Sequence, residues 1–74
     1  MNDYSVILFP SSTHSIWTAR LLKKAGIERK MVPIPRNLSS DCGYCVRIRR
    51  VDIQKAKEVL VKGGIEFTRI EEWN

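Results

Sequence analysis

The chain has 74 residues, near the lower length at which one apolar core holds a fold unaided, so a single domain over 1–74 is expected and a second catalytic domain is not. With 43% apolar residues, three Pro, four Gly and two Cys, it reads as a compact globular domain rather than a disordered tail or a disulfide framework. Thirteen Lys and Arg against eight Asp and Glu leave a net charge of +5, which suits either solubility or an anionic partner.

Tyr4 to Phe9 is a β-rich run and forms the first strand. The Ser11-Ser12-Thr13 cluster carries hydroxyls that cap a helix start, and the helix runs to about Ala25 before Gly26, with Thr18, Leu21, Leu22 and Ala25 as its apolar stripe. A second strand covers about Arg29 to Pro33, and Pro33 and Pro35 favour an edge or a strand end because neither donates to a ladder. From Tyr44 to Arg49 the period is two: Tyr44, Val46 and Ile48 share the face expected under the helices, and Cys45, Arg47 and Arg49 share the other, with Arg47 and Arg49 exposed. A second helix starts at Asp52 as N-cap and ends near Lys62, with Ile53, Ala56, Val59 and Leu60 inward. The last strand covers about Glu66 to Ile70, before a short acidic tail with Trp73.

Leu22 to Glu28 matches Leu60 to Glu66 at five of seven positions, at an offset of 38 residues. Each copy is a helix end, a glycine that stops it and the start of a strand, so strand, helix, strand is used twice, over about 4–36 and 42–74. Two such halves give an α+β, ferredoxin-like βαββαβ fold: a four-stranded antiparallel sheet with both helices on one face. Strands one and three are then central neighbours. The end of strand one, the start of helix one, the Ile34–Asp41 loop and the start of strand three share one end of the molecule.

That end gathers Ser11, Ser12, Thr13 and His14 with Arg36, Ser39, Ser40, Asp41, Cys42 and Gly43. A helix N-terminus and an arginine favour an anion or a thiolate, so Cys42 is a candidate nucleophile, with His14 as proton donor or acceptor and Gly43 leaving room beside the sulfur. The plainer readings stand alongside: a buried cysteine acting as a small hydrophobe, a helix-start histidine and a serine-rich turn. The Cys42-Gly43-Tyr44-Cys45 spacing suggests a dithiol or metal pair, but in extended backbone the two side chains point to opposite faces, about 10 Å apart, and a fourth metal ligand is lacking. No metal and no cofactor is expected. Strand three matches only Gly43-Tyr44 of the aromatic RNA-binding pattern, so nucleic acid is not the expected partner. Arg47 and Arg49 are left as a docking face. No apolar run approaches the roughly 18 to 20 residues of a membrane span, and a cytoplasmic, reducing location is expected.

The segments Tyr4-Ser-Val-Ile-Leu-Phe-Pro-Ser-Ser-Thr-His14, Leu-Leu-Lys-Lys-Ala-Gly-Ile, Val32-Pro-Ile-Pro-Arg36 and Ser39-Ser-Asp-Cys-Gly43 resemble the small family of selenium/sulfur carrier-like proteins over nearly the whole chain. The resemblance implies that Cys42 carries sulfur or selenium as a persulfide or perselenide. It also implies that His14, Arg36, Ser39, Ser40 and Gly43 surround it, with Cys45 outside the motif. The expectation is therefore a carrier rather than an enzyme, a monomer or homodimer that exchanges sulfur or selenium with donor and acceptor enzymes. The alternatives are a small anion- or ligand-binding regulatory module and a basic RNA-binding domain.

Overall fold

The computed structural model describes residues 3–35 and 43–73. Its elements run β1 (Tyr4–Leu8), α1 (Ser12–Lys24), β2 (Arg29–Pro33), β3 (Tyr44–Arg49), a 3-10 turn (Arg50–Asp52), α2 (Ile53–Gly63) and β4 (Arg69–Glu72). The sheet order is β2-β3-β1-β4, with every neighbouring pair antiparallel. This is the ferredoxin-like arrangement, with β1 and β3 central and β2 at an edge, ending on Pro33.

The internal echo is realised as the same stop used twice. Gly26 and Gly64 both adopt left-handed backbone, at φ 76° and 68°. After each glycine, an isoleucine N–H reaches back to a buried leucine carbonyl: Ile27 to Leu22 at 2.9 Å and Ile65 to Leu60 at 3.0 Å. The glycine N–H groups bond to Lys23 and Val61. Both ends are thus Schellman motifs, in which the bonded isoleucine also packs beside the leucine that closes the loop.

Alternation on β1 sends Ile7 and Phe9 to the helix side, where they meet Leu22, Ile27, Val46, Ile48, Ala56 and Leu60. Burial of an aliphatic side chain contributes about 1.5–3 kcal/mol, so this cluster supplies most of the stability available to so short a chain. The stripe on α1 is Ser15, Thr18 and Leu22. Ser15 donates its hydroxyl proton to the Tyr44 carbonyl at 2.9 Å, whereas Thr18 Oγ1 is buried without a hydrogen-bond partner.

The opposite face of the sheet is not open. Val6, Leu8, Val32 and Cys45 are all buried there, with Ile34 and Trp73 packed against them. Arg47 is half-buried rather than solvated as the alternation suggests, its guanidinium 4.4 Å from the Tyr4 ring centroid and 5.8 Å from that of Trp73. Tyr44, expected beneath the helices, is half exposed because it stands at the end of β3 where α1 begins.

Two further expectations are corrected. The last strand starts at Arg69 instead of Glu66, because Ile65 and Phe67 are drawn into the helix-side cluster and the ladder opens only where the Thr68 N–H reaches the Leu8 carbonyl. The acidic residues Glu71 and Glu72 consequently belong to β4, not to a tail. Asp52 stands at the N-cap of α2, but its carboxylate makes no cap bond and instead accepts from Arg49 Nε at 3.0 Å.

Two stability measurements check this account. Gly64→Ala places a Cβ in left-handed backbone and is expected to cost roughly 1–2 kcal/mol in urea unfolding, with Gly26→Ala costing a similar amount. Thr18→Val removes an unpartnered buried hydroxyl while keeping the shape, and is expected to raise stability by about 1 kcal/mol.

Candidate functional site

The site is built where β1 hands over to α1. Ser11 is extended (φ −151°, ψ 160°) and acts as N-cap, its Oγ accepting the His14 N–H at 3.4 Å. The same Oγ lies 2.6 Å from His14 Nδ1, which ties one ring nitrogen to the cap and leaves Nε2 as the ring nitrogen outside that bond. No acidic residue occupies the first turn, so nothing on the helix itself offsets the positive partial charge of its N-terminus. His14 flanks the buried stripe rather than joining it, its ring against Trp17 at 5.8 Å between centroids.

The β2 and β3 ends meet this turn. The Ile34 N–H bonds to the Gly43 carbonyl at 3.1 Å, and Ser15 holds the Tyr44 carbonyl, so β3 begins against the first turn of α1. A Cβ placed on Gly43 would stand 3.9 Å from Ser12 Oγ and 3.7 Å from Ile34 Cδ1, which is ordinary contact. Glycine there is not forced by a clash; it keeps the gap to Ser12 clear.

Between these elements lies a cavity of about 260 Å3. Ser11, Ser12, Gly43, Tyr44, Thr68 and Arg69 border it, with Leu8, Phe9 and Ile34 as its apolar part. It lies just below the roughly 300–1,000 Å3 of pockets for drug-sized ligands, which leaves room for a small ligand or a side chain. Ser12 and Gly43 of the expected constellation meet here, with Ser11. Thr13 is exposed, and neither it nor His14 is among the described lining residues. Arg36, Ser39, Ser40 and Cys42 lie outside the described residues, as does Asp41.

Thr68 and Arg69 were not among the residues expected from sequence. Because β4 is antiparallel to β1, its first residue must sit beside the last residue of β1, and the register pairs Arg69 with Leu8. The topology alone therefore carried the signal. Arg69 brings a cation to the cavity and shares it with Glu71, at 3.4 Å.

Cys45 takes no part. Its side chain is fully buried, its thiol donates to the Val32 carbonyl at 3.6 Å, and burial pushes its pKa up to about 11. Of the two arginines expected to dock a partner, Arg47 is stacked on Tyr4 and Trp73, and Arg49 Nε faces Glu28 at 3.4 Å and Asp52 at 3.0 Å. Among the described residues no three His, Cys, Asp or Glu side chains are grouped to hold a metal ion, and no helix is long and apolar enough to cross a membrane.

The state of Cys45 sets a pH dependence. A folded-state thiol pKa near 11 against 9.0 for an unperturbed thiol means the unfolded chain loses its proton first, so the stability from this burial is complete below pH 9 and is lost as pH rises toward 11. Cys45→Ala is expected to flatten the fall in stability between those limits. At pH 8 the native Cys45 thiol is expected to resist iodoacetamide until urea opens the fold; fast alkylation without urea would contradict its burial.

No curated protein and no solved structure matches the chain. The model of the family described as "Putative Se/S carrier protein-like" matches residues 3–72, a span that takes in every strand and helix, the borders of the cavity and Cys42. The chain therefore belongs to the Se/S carrier-like family.

Proposed function

We propose that the protein carries sulfur or selenium on Cys42, as a persulfide or perselenide passed between a donor and an acceptor enzyme. The observation that carries the reading is the contrast between the two thiols of a family member. The chain has two cysteines, and Cys45 is sealed in an apolar cluster and held protonated, which leaves Cys42 for the chemistry. Cys42 directly precedes Gly43, which borders the cavity at the N-terminus of α1, a helix with no acidic residue in its first turn.

Loading is a thiol exchange without net oxidation. The Cys42 thiolate attacks the terminal sulfur of a donor persulfide, the donor S–S bond breaks as the new one forms, and the donor leaves as its thiolate. Delivery reverses the roles: an acceptor nucleophile takes the terminal atom and the Cys42 thiolate departs. Selenium follows the same balance from a donor perselenide. Hydrogen bonds from Ser12, Ser39 or Ser40 and the positive end of α1, with Thr13, His14 and Arg36, would favour the anionic states on both sides of the exchange.

A second reading is favoured by the cavity itself, whose border of Ser11, Ser12, Thr68 and Arg69 needs no thiol to hold a small anion. A regulatory anion-binding module would then use Cys42 only as a wall. The RNA alternative has less support, because Tyr4 and Trp73 are already engaged with Arg47.

Mass spectrometry after incubation with glutathione persulfide, and separately with glutathione perselenide, decides between the two. The carrier reading expects one added sulfur or selenium atom on wild type and on Cys45→Ala, and none on Cys42→Ser. Equal loading of Cys42→Ser would overturn it. Thermal stabilisation by a small anion that persists in Cys42→Ser and is lost in Arg69→Ala, with no loading of wild type, would establish the module.

A further inference from the structure

We infer that the outer face of α1, centred on Ile16 and Trp17 and continued by Arg20 and Lys24, docks an acidic, apolar-centred surface of the protein that loads or unloads the site. Naming the partner as donor or acceptor rests on the carrier reading; the face itself does not.

Trp17 is 52% exposed and Ile16 43% exposed, on adjacent positions of one turn. Both are large apolar groups that folding leaves in water, and tryptophan is the side chain most often found at the energetic centre of an interface. The rest of the face is basic. Arg20 follows Ile16 by four residues and Trp17 by three, and Lys23 and Lys24 follow Arg20 at three and four, so these side chains stack along one side of the helix.

The sequence supplies no counter-charge. Between Asp3 and Glu28 there is no acidic residue, and among the described residues none of Arg20, Lys23 and Lys24 forms an ion pair. Arg20 and Lys24 are a like-charged i, i+4 pair, an arrangement that weakens a helix rather than supporting it. The second half of the echo differs in degree: α2 carries Glu58, three residues after Lys55 and four before Lys62, so part of the charge of its three lysines is offset on the helix itself. α1 thus presents an aromatic and aliphatic centre with a basic flank that no acidic residue of the helix offsets, the complement of an acidic surface with an apolar centre.

The face also adjoins the site. Trp17 contacts the His14 ring, His14 is bonded to Ser11, and Ser11 borders the cavity. A partner seated on Trp17 is thereby held two contacts from the cavity. An acidic protein is favoured over an anionic membrane because the buried stripe of α1 already faces the sheet, leaving two apolar side chains, too few for a lipid-inserting face.

NMR of the full chain tests this through its two tryptophans, Trp73 serving as the internal reference against Arg47. The probe is a synthetic peptide of alternating Asp and Glu around a central Leu-Phe. Binding is expected to shift the Trp17 indole N–H saturably while Trp73 stays in place. Arg20→Glu and Trp17→Gln, read for Trp17→Gln through neighbouring amides, are expected to weaken it about tenfold or more, with the helical signal of each variant unchanged. Cys42→Ser should bind as wild type does, so failure of sulfur loading and failure of docking register separately. The inference is overturned if the peptide leaves Trp17 unmoved, if Arg20→Glu binds equally well, or if phosphatidylglycerol vesicles or poly(U) RNA shift Trp17 at a lower concentration of negative charge.

Discussion

The structure depends on one strand being buried on both faces. Val6 and Leu8 project to one side of β1, Ile7 and Phe9 to the other, and all four are withdrawn from water. A two-layer α+β domain usually leaves one sheet face wet, with polar residues alternating along its strands. Here Val6, Leu8, Val32 and Cys45 are buried on the far side with Ile34 and Trp73 packed against them, and Arg47 lies across the Tyr4 and Trp73 rings, so both faces of the sheet carry buried apolar side chains. For so short a chain this uses both sides of β1 together with Phe9 just beyond it, and it explains how a domain without a disulfide framework sustains a core.

The same constraint separates the two cysteines. Consecutive cluster positions on β3 must alternate between the two cores, and Cys45 falls on the far side, where a small hydrophobe is needed and a thiolate would be costly. At the same end of the sheet, the last residues of β1 and β2 and the first residues of β3 and β4 converge on the first turn of α1, where serine hydroxyls and Arg69 border the cavity. The inertness of Cys45 is thus assigned by residue parity on β3, not by the sequence immediately around the sulfur.

Much of this was legible in the chain because it rests on local chemistry. Capping hydroxyls, glycine stops and period-two alternation predict α1, β2 and β3 nearly to the residue, and the repeat yields the topology. What parity cannot show is the covering of a face by distant residues. Arg47 reads as solvated until Trp73 and Tyr4 are known to flank it, and Tyr44 reads as buried until its place at a strand end is known. The shift of β4 arises from competition: Ile65 and Phe67 have strand-like character but are claimed by the helix-side core, and the ladder must wait for Arg69. That displacement is also why Thr68 and Arg69 were absent from the expected site. Of the expected surroundings of Cys42, Ser12 and Gly43 are seen to meet, and the segment carrying Cys42 itself lies outside the described residues.

The central position of β1 bears on how the protein is made. Its partners Arg49 and Glu72 stand 45 and 67 residues away in the chain from Tyr4 and Ser5, so neither neighbour exists when β1 leaves the ribosome. Synthesis therefore releases an apolar run of Val6, Ile7, Leu8 and Phe9 that has nothing to pair with until β3 has been translated, and only one edge covered until β4 follows. A chain arrested before Arg69 would present that open edge beside an unsealed apolar face, the kind of surface that chaperones and proteases recognise.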